Sequence, residues 1–183
     1  TPHCAIITNP GAPSRKGEIL EMKKVLIGLN RKIEEIKDPG KLEAGDVMMV
    51  GEHYYIGLSE RTNSLGANQL MAILNSYGMT GSAVTLEQGL HLKSGVSYLE
   101  NNNLLVTTEF MDKPEFQKFN QIIVDEDESY AANSLWINGN VLVPKGFPKT
   151  KQKIEATGYK TIEVDVSEFK KLDGGLSCLS LRF

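Results

Sequence analysis

Cysteine is scarce in this chain, and the two present, Cys4 and Cys178, stand near opposite ends. No disulfide framework follows from such a pair, and the usage suits a reducing, cytoplasmic compartment. No apolar run approaches the roughly 18 residues that a membrane-spanning helix needs, and no charged-then-apolar leader opens the chain. A basic block is also missing. The net charge of −3 is small and unpatterned, which argues against nucleic acid as a partner. An initiator methionine is absent too, because the chain starts at Thr1, already inside an apolar run. What is there is ordinary: 40% hydrophobic and 23% charged residues, the balance of a soluble globular protein. At 183 residues it can bury a real core, and a single domain over 1–183 is the starting expectation.

Strand-like and helix-like segments alternate. Cys4 to Thr8 is a short apolar run closed by Asn9-Pro10-Gly11, a strong turn signal. Ser14 is positioned to cap a helix from about Lys16 to Leu29, with Ile19, Met22, Leu26 and Leu29 on one face. Acidic and basic residues alternate from Lys16 to Asp38, the pattern of a wet helix side and the strand after it. Strands are expected at Val47 to Val50 and Tyr54 to Gly57, then a helix from Ser64 to Ser76. Strands at Ala83 to Leu86 and Leu104 to Thr107 come next, then a helix near Lys113 to Phe119 and a strand at Ile122 to Val124. Leu135 to Ile137 and Val141 to Val143 form a hairpin about Asn138-Gly139-Asn140. A helix starting at Pro148 and a strand at Thr161 to Val164 complete the series. The series repeats at Ile6, Tyr55, Leu105 and Leu142, a spacing of roughly 40 to 50 residues. Such repetition indicates units arranged radially about a shared centre. An open parallel sheet also fits simple alternation, but the hairpin inside each unit argues against it.

Four segments put reactive groups where elements end. In Lys171-Leu172-Asp173-Gly174-Gly175-Leu176-Ser177-Cys178, two glycines allow a tight turn just before a thiol, and a short apolar tail, Leu179 to Phe183, anchors it. Alone, the same features describe a buried structural cysteine. Gly89-Leu90-His91-Leu92-Lys93-Ser94 offers an imidazole, the usual proton shuttle for a cysteine nucleophile, although a lone histidine is more often structural. His3, near a frayed end, and His53, in a hairpin turn, are rivals expected to be solvated. Leu42-Glu43-Ala44-Gly45-Asp46 carries two carboxylates, either an ordinary turn or an acid that orients the histidine or binds a cation. Arg15 and Arg61 follow equivalent strands and offer planar forks for a carboxylate, with a surface salt bridge as the plainer reading.

Taken in order, these segments carry a resemblance. Ile7 to Glu18 (ITNPGAPSRKGE), Leu42 to Met48 (LEAGDVM), Ile56 to Gly66 (IGLSERTNSLG) and Gly89 to Ser94 (GLHLKS) match one family, as do Ala131-Ala132-Asn133 and Ser167 to Ser180 (SEFKKLDGGLSCLS). The chain resembles the dimethylarginine dimethylaminohydrolases of the pentein, or amidinotransferase-like, superfamily over essentially its whole length. The resemblance implies an α+β fold, a fan of five ββαβ units about a central site. It casts Cys178 as nucleophile, His91 as general acid and base, and Glu43 as their supporting carboxylate. Arg15 and Arg61 are implied to bind the substrate's α-carboxylate, and Leu172 to meet its amino-acid end through a backbone carbonyl. A thiolate would attack the guanidinium carbon, His91 would protonate the departing dimethylamine, and water would release citrulline from a thiouronium intermediate. Neither metal nor organic cofactor is implied. Zinc would find only Cys178 and His91, too few ligands for a structural site.

The position two after the histidine, where arginine deiminases tend to carry an aspartate, is Lys93 here, which leaves room for methyl groups. Two carboxylate-binding arginines argue against agmatine. The alternatives are an arginine deiminase-like or citrulline hydrolase, an amidinotransferase, or a non-catalytic binder of arginine analogues. Relatives carry about one more unit before the equivalent of Cys4, with a Phe-x-Glu-Asp segment that holds the guanidinium. Asp125, Glu126 and Asp127 do not replace it. The expectation is therefore an N-terminally incomplete fan, inactive alone, partnered by the remaining segment of the same protein. The oligomeric state is left open, a homodimer among the options.

Overall fold

The computed structural model describes residues 1–87 and 89–180. They fall into two compact units, one of 1–86 with 90–92 and the other of 87, 89 and 93–180. The far end of the expected apolar tail, 181–183, lies outside the described residues.

The first unit opens with β1 (Ala5–Ile7) and α1 (Glu18–Gly28), which returns the chain to β2 (Ile33–Glu35), parallel to β1. Next, β3 (Val47–Val50) and β4 (His53–Leu58) form an antiparallel hairpin, and α2 (Ser64–Ser76) carries the chain back to β5 (Thr80–Thr85), parallel to β4. Tyr54, Tyr55, Ile56 and Gly57 are buried in succession, the mark of a central strand covered on both faces. The α2 helix forms where the sequence demands one. Asn63 caps it by accepting the Gly66 N–H at 2.8 Å, and Ala67, Leu70 and Leu74 make its buried stripe. These pack with Ile36, Leu42, Tyr54, Ile56 and Met79 into one core.

A one-turn helix, α3 (Leu92–Gly95), leads into the second unit, which repeats the plan twice. The hairpin β6 (Val96–Tyr98) and β7 (Asn103–Val106) is completed by β8 (Asn120–Ile123), parallel to β7. The hairpin β9 (Leu135–Ile137) and β10 (Asn140–Pro144) is completed through α4 (Pro148–Ala156) by β11 (Lys160–Val164). A short α5 (Ser167–Lys170) precedes the glycine-rich turn. Leu99, Leu105, Ile122, Val124, Val141, Val143 and Ile154 form this unit's core. The ββαβ repeat and the α+β class are as expected, three full triads and one parallel pair among the described residues.

Three local expectations are corrected. Ser14 does not cap α1; it sits in a 3-10 turn, Pro13–Arg15, and Gly17 occupies the cap position with no side-chain bond. Met22 and Leu29, expected on the packed face of α1, are exposed, because two short strands cover only a narrow stripe of the helix. The helix expected at Lys113 to Phe119 is a single 3-10 turn, Pro114–Phe116. Buried Phe116 and Phe119 pin the chain just before β8 begins at Asn120, which leaves no length for the costly first turns of an α-helix.

Candidate active site

In the first unit, three of the sequence's candidates gather on a fourth, the carboxylate of Glu43. Glu43 lies just before a 3-10 turn, Ala44–Asp46, and is 2% exposed. Its Oε1 accepts the Ala12 N–H at 3.1 Å, and its Oε2 accepts from Arg15 Nη1 at 3.2 Å and His91 Nε2 at 2.9 Å. Arg61 Nη1 stands 3.6 Å from Oε1. Burial pushes the Glu43 pKa up, but the Ala12 N–H, His91 and Arg15 together outweigh it and hold the carboxyl below its ordinary range. An ionised acid in this position takes the Nε2–H of His91, fixes the ring's tautomer and stabilises the imidazolium. The Arg15 guanidinium is pushed further toward its charged form, chiefly by Glu18, whose Oε2 it meets at 3.0 Å through Nη2, and also by Glu43.

Flat backbone permits this gathering. A Cβ added at Gly45 would lie 2.7 Å from His91 Cγ, so only glycine lets the imidazole settle against that turn. A Cβ at Gly11 would meet the Arg61 carbonyl oxygen at 2.5 Å, which ties the turn after β1 to the loop after β4.

The second unit holds Cys178 on the turn after α5. The cysteine is exposed, which overturns the reading of a buried structural thiol. Its N–H donates to the Gly175 carbonyl at 3.0 Å. Asn133 grips the preceding residue at two points: Oδ1 accepts the Ser177 N–H at 2.9 Å and Nδ2 donates to Ser177 Oγ at 3.0 Å. The Tyr130 hydroxyl donates to the Gly174 carbonyl at 2.6 Å. Burial first, and the charge of Cys178 second, push this phenol's pKa up, so it stays a donor. No side chain fits at Gly175, where a Cβ would lie 2.6 Å from Asn133 Cγ. Leu172 is 86% exposed on the same segment.

His91, Glu43, Arg15 and Arg61 are thus brought together in one unit, and Cys178 and Leu172 lie on one segment of the other. The rival histidines take no part in either group. His53 is not in a solvated turn but opens β4, with Nδ1 2.8 Å from Thr80 Oγ1 and Nε2 2.9 Å from Ser82 Oγ. His3 is exposed and stacks on Tyr77. Asp125 and Asp127 pair with Lys153 and Lys149. Among the described residues, no group of three or more His, Cys, Asp or Glu side chains is placed to hold a metal ion. No helix among them is long and apolar enough to cross a membrane. Sequence reasoning named Asp46 only as the second carboxylate of its turn and missed Ser59, Thr62, Tyr130 and Asn133, the residues that with it hold the others. The one available signal was that Asn133, Asp46, Ser59 and Thr62 lie inside the matched blocks.

The chain is similar to known proteins in both sequence and fold. The arginine deiminase family model matches residues 19–133. Over its full length the chain is 57% identical to an N(G),N(G)-dimethylarginine dimethylaminohydrolase from Pseudomonas aeruginosa, spanning 72% of that protein. A protein of the same name from Streptomyces coelicolor is 33% identical, over 97% of this chain and 68% of its own. A solved structure of the Pseudomonas aeruginosa protein, a cysteine-to-serine variant complexed with citrulline, superposes on the whole chain with a TM-score of 0.96 at 55% identity, the match covering 72% of that chain. With its repeated ββαβ units and this degree of identity, the chain belongs to the arginine deiminase family of pentein proteins, and within it to the dimethylarginine dimethylaminohydrolases.

Proposed function

We propose that this protein hydrolyses Nω-methylated arginine to citrulline and dimethylamine through a covalent cysteine thiouronium. The observation that carries the reading is identity of 57%, along the full chain, to a protein of that name, with Glu43 and His91 already hydrogen-bonded. The exposed thiol of Cys178 and the two arginines about Glu43 support it.

A guanidinium carbon is deactivated by delocalisation, so a polarisable nucleophile is needed, and the thiolate of Cys178 supplies it. The sulfur–carbon bond forms, the bond to the dimethylated nitrogen breaks, and the imidazolium of His91 gives its proton to the leaving amine. Neutral His91 then takes a proton from water, whose oxygen attacks the thiouronium carbon. Citrulline leaves, and the thiol is restored. Glu43 orients the ring throughout and stabilises its charged form. Arg15 and Arg61 hold the α-carboxylate of the substrate, each with donors beyond those given to Glu43. Leu172 offers its backbone carbonyl to the α-amino group. Lys93, in place of an acid, favours a methylated nitrogen over a bare one. A free catalytic thiol suits a reducing compartment such as the cytoplasm.

The test is mass spectrometry of the full protein with asymmetric dimethylarginine, then with arginine. Citrulline and dimethylamine should appear, with methylated substrate preferred. Cys178→Ser should abolish turnover and retain citrulline binding. Turnover that survives this substitution, or wild-type protein that only binds, would overturn the hydrolase reading in favour of another nucleophile or a binding role.

A further inference from the structure

Asp46 is a carboxylate the mechanism above does not use. It ends the 3-10 turn that follows Glu43 and is 0% exposed. A charge buried so deeply is costly unless its lone pairs are met. Oδ1 accepts the Leu92 N–H at 2.9 Å, and Oδ2 accepts the hydroxyls of Thr62 at 2.6 Å and Ser59 at 2.8 Å.

The placement of those donors is what matters. Leu92 directly follows His91. Ser59 and Thr62 bracket Arg61, and Ser59 Oγ in turn accepts the Arg61 N–H at 3.0 Å. Thr62 Oγ1 also accepts the Glu43 N–H at 3.0 Å. One buried carboxylate therefore fixes the backbone beside or at three site residues. An aspartate that merely stabilised its own turn would bond to neighbours, whereas these donors are 13, 16 and 46 residues away. There is no slack around it: a Cβ at Gly57 would lie 3.1 Å from Asp46 Oδ1 and 2.8 Å from Leu92 Cβ.

We propose that Asp46 is a positioning residue for the reaction, holding His91, Glu43 and Arg61 in mutual register. This rests on the assignment of His91 as general acid and base. The groups facing His91 are Glu43 directly, with Arg15 and Arg61 beyond it, and Asp46 through the next peptide. Removing the Asp46 carboxylate and loosening the His91–Glu43 bond both disfavour the imidazolium.

The experiment compares wild type, Asp46→Asn and Thr62→Val in the full protein. The His91 ring is titrated by NMR between about pH 5 and 9, beside kcat, KM and Tm. Asparagine keeps the size but cannot accept all three bonds. The His91 titration and the pH profile of kcat should both differ from wild type. Displaced catalytic groups should cost about 10-fold to 100-fold in kcat, with a smaller rise in KM through Arg61. Thr62→Val, which cuts the link between Asp46 and Glu43, should shift the same quantities less, and it carries the test if Asp46→Asn does not fold. A folded variant that loses Tm but keeps wild-type His91 titration and kcat would show a purely structural aspartate and end the proposal. Wild-type protein that fails to turn over dimethylarginine would instead refute the substrate assignment, and the titration would still decide the role of Asp46.

Discussion

Glu43 is the residue on which the polar cluster of the first unit converges, and its local sequence understates it. Between Leu42 and Gly45 it looks like a turn acid, yet its partners Ala12, Arg15, Arg61 and His91 come from three distant segments. Its depressed pKa has a consequence for stability. A carboxyl whose folded-state value lies below its ordinary value of about 4.3 contributes stability that is fully present above that value. The contribution is lost as pH falls through the lower, folded-state value. Melting temperature should thus drop with acidification below about pH 4.3, and Glu43→Gln should flatten that part of the curve. An unchanged acid limb in the variant would mean that other carboxylates set it. Gly45 gives a second expectation at this scale. Gly45→Ala forces a Cβ against the His91 ring, so turnover should fall about 10-fold to 100-fold through misplacement of the imidazole, while circular dichroism stays native.

Elements of secondary structure were legible where period and punctuation agree. The Ser64–Ser76 helix and the Val47–Val50 strand have the boundaries their patterns indicate, because a cap and a buried stripe select the same residues. Asn63 does more than cap. It also accepts the Lys41 N–H at 2.9 Å and donates to the Pro39 carbonyl at 3.0 Å, which joins α2 to the loop carrying Glu43. Asn63→Ala should therefore cost about 2 kcal/mol, the upper end for a lost cap, in urea unfolding. Legibility failed where a segment's fate depends on length between anchors, as at Pro114–Phe116, or on a partner strand, as with His53 beside Thr80 and Ser82. The Ser167–Ser180 segment shows both sides of this. Its glycines announced a tight turn, but the two-point grip of Asn133 on Ser177 spans 44 residues and left no mark in local pattern. Asn133→Ala should slow turnover about 10-fold or more by loosening the turn that carries Cys178, the proposed nucleophile, with a modest change in KM. Equal kcat in wild type and variant would mean that Tyr130 suffices to hold the turn.

At the scale of the whole molecule, two units with separate cores carry the repeated ββαβ plan. Leu105 is fully buried in the second core, and Leu105→Ala should destabilise by about 2–5 kcal/mol as read from denaturant midpoints. A cost below 1 kcal/mol would indicate that the second core collapses to refill the space. By itself the sequence determined the repeated strand–helix plan, the lack of an apolar run long enough to span a membrane and the candidate reactive side chains. Hydrophobic period, turn residues and motif content are properties of neighbouring residues. Only the tertiary structure decided that Glu43 and His91, 48 residues apart, share a hydrogen bond, and that Asp46 is buried at the junction of three loops. A partner for a charge is chosen by packing, since burial compels each polar group to find one and the fold, not the chain order, supplies the candidates.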